Sequence, residues 1–263
     1  GTNGKTTCSL LYAQLLAKAK VSGEQQKSSY IGTTGYGVTG SQSSNTTDQL
    51  FKSKRSGEVQ LTTPDAVSVQ RIMAELAMNG TQSVALEASS HSLVQHRLQS
   101  IDIDIAVFTN LSRDHLDYHQ DLESYAAAKA RLFDLPSVKT AIINLDDPVG
   151  VQIAANLQPE IQLITFSLDN QVAYIHCRQI DLNASGICAQ LVTPWGEGEI
   201  NANLIGSKLF KRGIKMFDIK KLSLGVRKGL LIAGSASLLT MPQVSAQTIE
   251  DNEETEPTER IQV

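Results

Sequence analysis

The chain has 263 residues, 41% of them hydrophobic, which suffices for one large or two modest domains around a buried core. Its 27 acidic and 23 basic residues leave a net charge of −4, so there is no global electrostatic case for nucleic acid, and no apolar run reaches the ~18 residues of a membrane-spanning helix. Three scattered cysteines, Cys8, Cys177 and Cys188, without CxxC pairing, argue against a disulfide framework or a zinc site and for plain thiols in a reducing cytoplasm.

The first stretch, GTNGKTT at residues 1–7, opens directly into the apolar periodicity of KTTCSLLYAQLLAKAK, which predicts a helix over 5–20. A glycine-rich turn at a helix N-terminus presents successive N–H groups to an anion. Gly4 lets the backbone approach a phosphate, Lys5 reaches the β/γ-phosphates, and Thr6 offers a hydroxyl to Mg²⁺. The competing reading is a glycine turn with a solvated lysine. The strand that normally feeds such a loop, and the first glycine of GxxxxGK[ST], are expected ahead of residue 1.

A second helix is predicted over TPDAVSVQRIMAELAMNG, with Thr63 as N-cap, Pro64 at the first helical position and Gly80 just past the end. Short β-branched runs at 83–87, 104–110, 140–145 and 161–167 read as strands buried on both faces. Alternating strands and helices imply an α/β fold, a P-loop-type parallel sheet flanked by helices. From about 172 to 204 the pattern changes to polar–apolar alternation with NASG and WGEG turns, which predicts a small antiparallel sheet on the same domain.

Glu87 ends one apolar strand, and Asn110 to His119 follow the next. In an open parallel sheet that edge is where ligands bind. Taken singly, Glu87 also reads as a helix N-terminal carboxylate, His91, His96, His115 and His119 as ordinary polar side chains, and Lys129 in LESYAAAKARLF as a solvated helix lysine.

Together, GTNGKTT, LTTPDA, ALEASSHSLVQHRL, FTNLSRDHLDYHQDLESYAAAKARLF, INLDD and WGEGEI resemble the central domain of a Mur ligase, over about residues 1–206. SSHSLVQHR and DHLDYH…AAK are similar to the branch that adds the third residue of the peptidoglycan stem peptide. The resemblance implies that Gly1, Thr2, Asn3, Gly4, Lys5, Thr6 and Thr7 bind ATP. It implies that Thr6, Glu87, His115 and Lys129 serve Mg²⁺, with Lys129 carried as a carbamate, and that Lys5, Glu87, His115 and Lys129 form the catalytic set. Thr62, Thr63, Ser89, Gln95 and Arg97 match positions that hold a UDP-MurNAc-dipeptide, while Leu61 stands where some members have asparagine. The implied reaction passes through an acyl phosphate and joins a diamino acid in the cytoplasm; the resemblance leaves meso-diaminopimelate and lysine both open, and only the receptor-like tail described below points to meso-diaminopimelate.

Composition shifts after Ser207. Lys208–Lys228 holds eight basic residues and one acid, and residues 250–260 are dominated by acids. Residues 1–207 are therefore read as a central ATP-binding domain truncated near both ends, and 208–263 as an unrelated tail. Within that tail, 216–246 has the basic lead, apolar run and Val244-Ser245-Ala246 cleavage pattern of an export signal that starts at Met216, and 247–263 reads as acidic and disordered. Residues 216–263 resemble the leader region of a TonB-dependent receptor, so the sequence reads as a ligase piece joined to that leader. Such a piece is expected to be inactive alone. The alternatives are an inert fragment or a bare nucleotide-binding module, and for the tail, expected to be helical and then disordered, a cytosolic C-terminal helix with an acidic end.

Overall fold

In the computed structural model, which describes residues 1–18, 20–21, 24–39, 61–112, 121–183 and 186–202, the first loop leads into α1 (Lys5–Lys18) and then a two-stranded ribbon, β1 (Lys20–Val21) and β2 (Glu24–Gln25). A hairpin follows that sequence reading did not find. β3 (Ser28–Gly32) and β4 (Gly35–Thr39) pair antiparallel with Gly32 opposite Gly35, leaving Thr33 and Thr34 as a two-residue turn. Gly35 has φ +115°, a region that disfavours a Cβ. α2 (Ala66–Met78) leads to β5 (Ser83–Leu86), which pairs parallel with β3 and completes a sheet of order β4-β3-β5.

Strand alternation gives this small sheet two covered faces. Tyr30 and Ala85 pack on Ala13 of α1 with Leu10 and Tyr12, whereas Ile31, one residue on, packs on Ile72 and Leu76 of α2. Burying each of those large side chains contributes about 1.5–3 kcal/mol.

α2 starts later than its sequence signals predict. Asp65, not Thr63, is the N-cap, because its carboxylate accepts from Ser68 N at 2.9 Å, while the Thr63 hydroxyl is committed to the carbonyl of Glu87. Pro64 therefore precedes the cap. Asn79 is the C-cap, and Gly80 (φ +78°) takes the left-handed position just beyond it.

After α3 (Ser90–Val94) the second sheet begins with β6 (Ile105–Phe108), α4 (Leu122–Ala130), β7 (Thr140–Asn144), α5 (Pro148–Ala155) and β8 (Gln162–Ser167). β6, β7 and β8 are parallel. Ala106, Phe108, Ala141 and Ile143 meet Phe133, Val138 and Ile153 in its core. The antiparallel strands β9 (Ile175–Asn183), β10 (Gly186–Thr193) and β11 (Gly196–Ala202) follow. They continue the same sheet, since β9 pairs with β8 through Phe166 and Ser167, giving the order β11-β10-β9-β8-β7-β6. Burial on both faces is incomplete: Val107 of β6 is 42% and Leu163 of β8 38% exposed.

β5 and β6 each end a sheet, and the phosphate-type loop lies across their carboxyl ends. This is the edge at which open α/β sheets take ligands. Among the described residues no helix is long and apolar enough to cross a membrane. His115, His119 and the whole of 208–263 lie outside the described residues.

Candidate functional site

The loop is strapped to the residues that follow β6. Thr2 N donates to Asn110 O at 2.7 Å, Asn3 N to Asn110 Oδ1 at 2.9 Å, and Thr109 Oγ1 to Asn3 O at 3.0 Å. Asn3 Nδ2 reaches Ser112 Oγ at 2.9 Å. Gly1 permits this approach, because a Cβ there would meet Thr109 Oγ1 and, at 2.9 Å, Asn110 N. Gly4 (φ +80°) turns the chain into α1, where Cys8 N donates to Gly4 O. Lys5 folds back, and Nζ donates to the carbonyls of Gly1 (3.0 Å) and Thr2 (2.8 Å).

Beside the loop is a cleft of ≈ 220 Å³ lined by residues 2–7 with Thr33, Thr62 and Glu87. Glu87, only 2% exposed, stands one residue past β5. Its Oε1 accepts from the Tyr30 hydroxyl and from Thr33 N (2.9 Å), and its Oε2 from the hydroxyls of Thr6 (3.0 Å) and Thr33 (3.2 Å). Burial, and then the bond to Glu87, push the Tyr30 phenol well above its ordinary range, so it serves as a donor. Thr6 and Glu87 thus put hard oxygen atoms beside a phosphate-type loop, the donor chemistry that Mg²⁺ takes. Among the described residues no three His, Cys, Asp or Glu side chains come together.

Lys129 is 4% exposed on α4, with Nζ 4.5 Å from the centre of the Tyr125 ring. The Tyr125 hydroxyl in turn accepts from Thr2 Oγ1 at 3.2 Å. Lys129 is therefore a buried residue on the loop's flank, not the solvated lysine its helix position suggests when taken singly.

The residues expected to hold substrate gather on the other side of Glu87. Thr63 Oγ1 donates to Glu87 O at 2.6 Å and accepts from Ser89 N at 3.0 Å. Ser89 caps α3 by accepting from Ser92 N at 3.1 Å. Arg97 Nη1 donates to Thr63 O at 2.8 Å, while Nε and Nη2 both reach Gln95 Oε1. His96, at φ +54°, takes the left-handed turn between Gln95 and Arg97. Of the residues expected from the sequence, Gly1–Thr7, Thr62, Thr63, Glu87, Ser89, Gln95, Arg97 and Lys129 stand around one strand-end edge. Tyr30, Thr33 and Tyr125 were missed. Asn110, expected only as part of the strand-end edge, is the residue that straps the loop.

A family model described as Mur ligase middle domain matches residues 1–211. The UDP-N-acetylmuramoyl-L-alanyl-D-glutamate–2,6-diaminopimelate ligase of Pseudomonas aeruginosa is 45% identical over 206 residues, covering 78% of this chain and 38% of the relative. The enzyme of the same name from Ectopseudomonas mendocina is 43% identical over the same shares. A solved structure of such a ligase superposes with a TM-score of 0.66 at 34% identity, over 96% of this chain and 47% of the other. The chain thus spans less than half the length of the relatives it matches.

Proposed function

We propose that this chain, which belongs to the Mur ligase family, acts as the ATP-binding part of a ligase that joins meso-diaminopimelate to UDP-N-acetylmuramoyl-L-alanyl-D-glutamate. The observation that carries the reading is the 3.0 Å bond between Thr6 and Glu87 inside the cleft of the phosphate-type loop. Residues 1–7 would hold the triphosphate, and the N–H groups at the start of α1 would face its charge.

In this reading an oxygen of the D-Glu γ-carboxylate attacks the γ-phosphorus of ATP. The bond to the bridging oxygen breaks, and ADP leaves with an acyl phosphate formed. The amine of the diamino acid then attacks the acyl carbon, phosphate departs, and the amine gives up a proton as the amide forms. Lys5 would exchange the carbonyls of Gly1 and Thr2 for the transferred phosphoryl oxygens, stabilising charge where it develops. Thr6, Glu87, His115 and Lys129 would hold Mg²⁺, which when bound neutralises phosphate charge. Thr62, Thr63, Ser89, Gln95 and Arg97 would position the UDP-MurNAc-dipeptide, with the Arg97 guanidinium suited to a carboxylate by its planar fork.

Lys129 would act as a carbamate, which turns a buried cation into an anion beside the loop. Its burial supports the reading, since an ammonium taken out of water there is costly. A ¹³C-bicarbonate NMR signal that disappears in Lys129→Ala tests it. The division at residue 207 belongs to the same reading, with 208–263 as a separate tail, 216–246 leader-like and related to a TonB-dependent receptor leader, and the ligase part cytoplasmic. The charge shift after Ser207 supports it. An export reporter fused after Gln247 would stay inactive if the leader reading is wrong.

Isothermal titration of Mg-ATP into the full chain tests the core of the proposal. Binding that Lys5→Ala weakens about a hundredfold or more is expected, since a buried phosphate loses its only mobile cation on the loop. Binding equal in the two chains would sink the proposal.

A further inference from the structure

We propose that Tyr30 is a positioning residue for the metal-facing carboxylate: its hydroxyl pins Oε1 of Glu87 so that Oε2 is held toward Thr6 and the phosphate-type loop. The inference rests on the reading of Glu87 as a group that serves Mg²⁺, and goes beyond it by assigning the orientation to a residue on another strand.

Two devices from separate elements hold Oε1. One is the Thr33 backbone N–H, fixed at 2.9 Å by the two-residue turn between β3 and β4. The other is the Tyr30 phenol, fully buried on β3 and wedged against Ala13 and Ala85 with Leu10 and Tyr12. Neither can follow Glu87 if it turns, because one is backbone and the other a packed ring with two torsions. Oε2, in contrast, meets among the described residues only the hydroxyls of Thr6 and Thr33, which rotate freely about their C–O bonds. The carboxylate therefore has one anchored oxygen and one adaptable oxygen, and the adaptable one faces the loop. When the Thr6 proton points to Oε2, the Thr6 lone pairs are left for a cation. Gly32 completes the arrangement, since a Cβ there would collide with Glu87 Oε1 and the Tyr30 hydroxyl and lie 2.6 Å from Glu87 Cδ. A glycine that no turn conformation requires is thus explained by the space that the phenol and the carboxylate share.

A buried tyrosine needs some partner for its hydroxyl, so burial alone would make Tyr30 structural. The two roles differ in what the loss of the hydroxyl affects. Outer partners of a ligand set its orientation, and removing one typically costs about 10–100-fold in metal affinity.

The test compares the full chain with Tyr30→Phe, which keeps the ring in its pocket. Mn²⁺ is titrated without nucleotide and followed by the EPR signal of the free ion, and thermal melting and Mg²⁺-free ATP affinity are measured in parallel. We expect Mn²⁺ affinity to fall roughly tenfold, the effect of one hydrogen bond to a charged group, with metal-free ATP affinity unchanged. An unchanged or tighter Mn²⁺ curve in a folded variant overturns the inference, as does a loss of ATP affinity equal to the loss of Mn²⁺ affinity. A second readout leaves Tyr30 intact. Mg²⁺ added to the unaltered chain is expected to give a tyrosine difference-absorbance band that Glu87→Gln abolishes, and a chain that binds Mg²⁺ without that band also overturns it. Loss of Lys5-dependent ATP binding would instead strike the nucleotide reading, and the Mn²⁺ titration is independent of it.

Discussion

Replacing Thr63 with valine removes one hydroxyl at constant shape, and the site shows what that hydroxyl does. Thr63 is 1% exposed, and Oγ1 donates to Glu87 O at 2.6 Å and accepts from Ser89 N at 3.0 Å. Thr63→Val leaves a buried carbonyl and a backbone N–H without that partner. Each orphaned group costs about 1–3 kcal/mol, so a total near 3 kcal/mol is expected after some relaxation. For a domain of this size that corresponds to a fall in Tm of about 6–12 °C. Differential scanning calorimetry checks it, with Thr63→Ser as the control that keeps the hydroxyl and is expected to lose far less. The bond from Arg97 to Thr63 goes to the backbone carbonyl and survives in both variants, so the arginine does not confound the comparison. If Thr63→Val melts within about 2 °C of the parent, the hydroxyl is not the joint between β5 and the 61–65 segment, and the reason given for the late start of α2 fails with it.

Gly32→Ala is expected to be tolerated worse than a surface glycine change, by about 1–3 kcal/mol, because the new methyl must displace the Glu87 carboxylate or the Tyr30 phenol. Denaturant unfolding reads the cost, and adding Tyr30→Phe to it should recover part of the loss; no recovery would place the collision elsewhere. Asp65→Ala removes the α2 N-cap and should cost about 1 kcal/mol at pH 7. The Ser68 side chain, and then its backbone N–H, hold the Asp65 carboxyl below its ordinary value of 3.8, so the parent's advantage is present above that value and fades as pH falls through the lower folded-state pKa. Unfolding curves between pH 7 and acid should therefore converge, and a gap that stays constant would mean that the cap does not depend on the charged form.

The elements that could be read from sequence are those whose signals are local. α1 follows from apolar periodicity after a glycine turn, and β5 to β8 follow from short β-branched runs, each found within a residue or two of its predicted place. The β3–β4 hairpin escaped because SSYIGTTGYGVT mixes small, polar and aromatic residues. Its strand character comes from pairing with β5, more than forty residues later, not from its own pattern. α5 escaped although Asp147 and Pro148 are ordinary start signals, since eight residues show too little periodicity. The N-cap of α2 was misplaced because Thr63 and Asp65 are both good caps and sequence does not say which oxygen is already engaged.

The site divides in the same way. Lys5, Thr6 and Glu87 carry chemistry that residue type and position advertise: a lysine after a glycine turn, a hydroxyl beside it, a carboxylate at a strand end. Tyr30 and Thr33 advertise nothing, because their importance lies in meeting Glu87 across 57 and 54 residues of chain. Glu87 joins the two halves of the edge, its side chain facing the loop through Thr6 and its carbonyl facing the Arg97 cluster through Thr63. A shift of β5 along its own axis would therefore move the loop end and the Arg97 end together. The groups that resist such a shift are the uncharged ones, a phenol, a threonine hydroxyl and a turn amide, whose partners only the folded chain reveals.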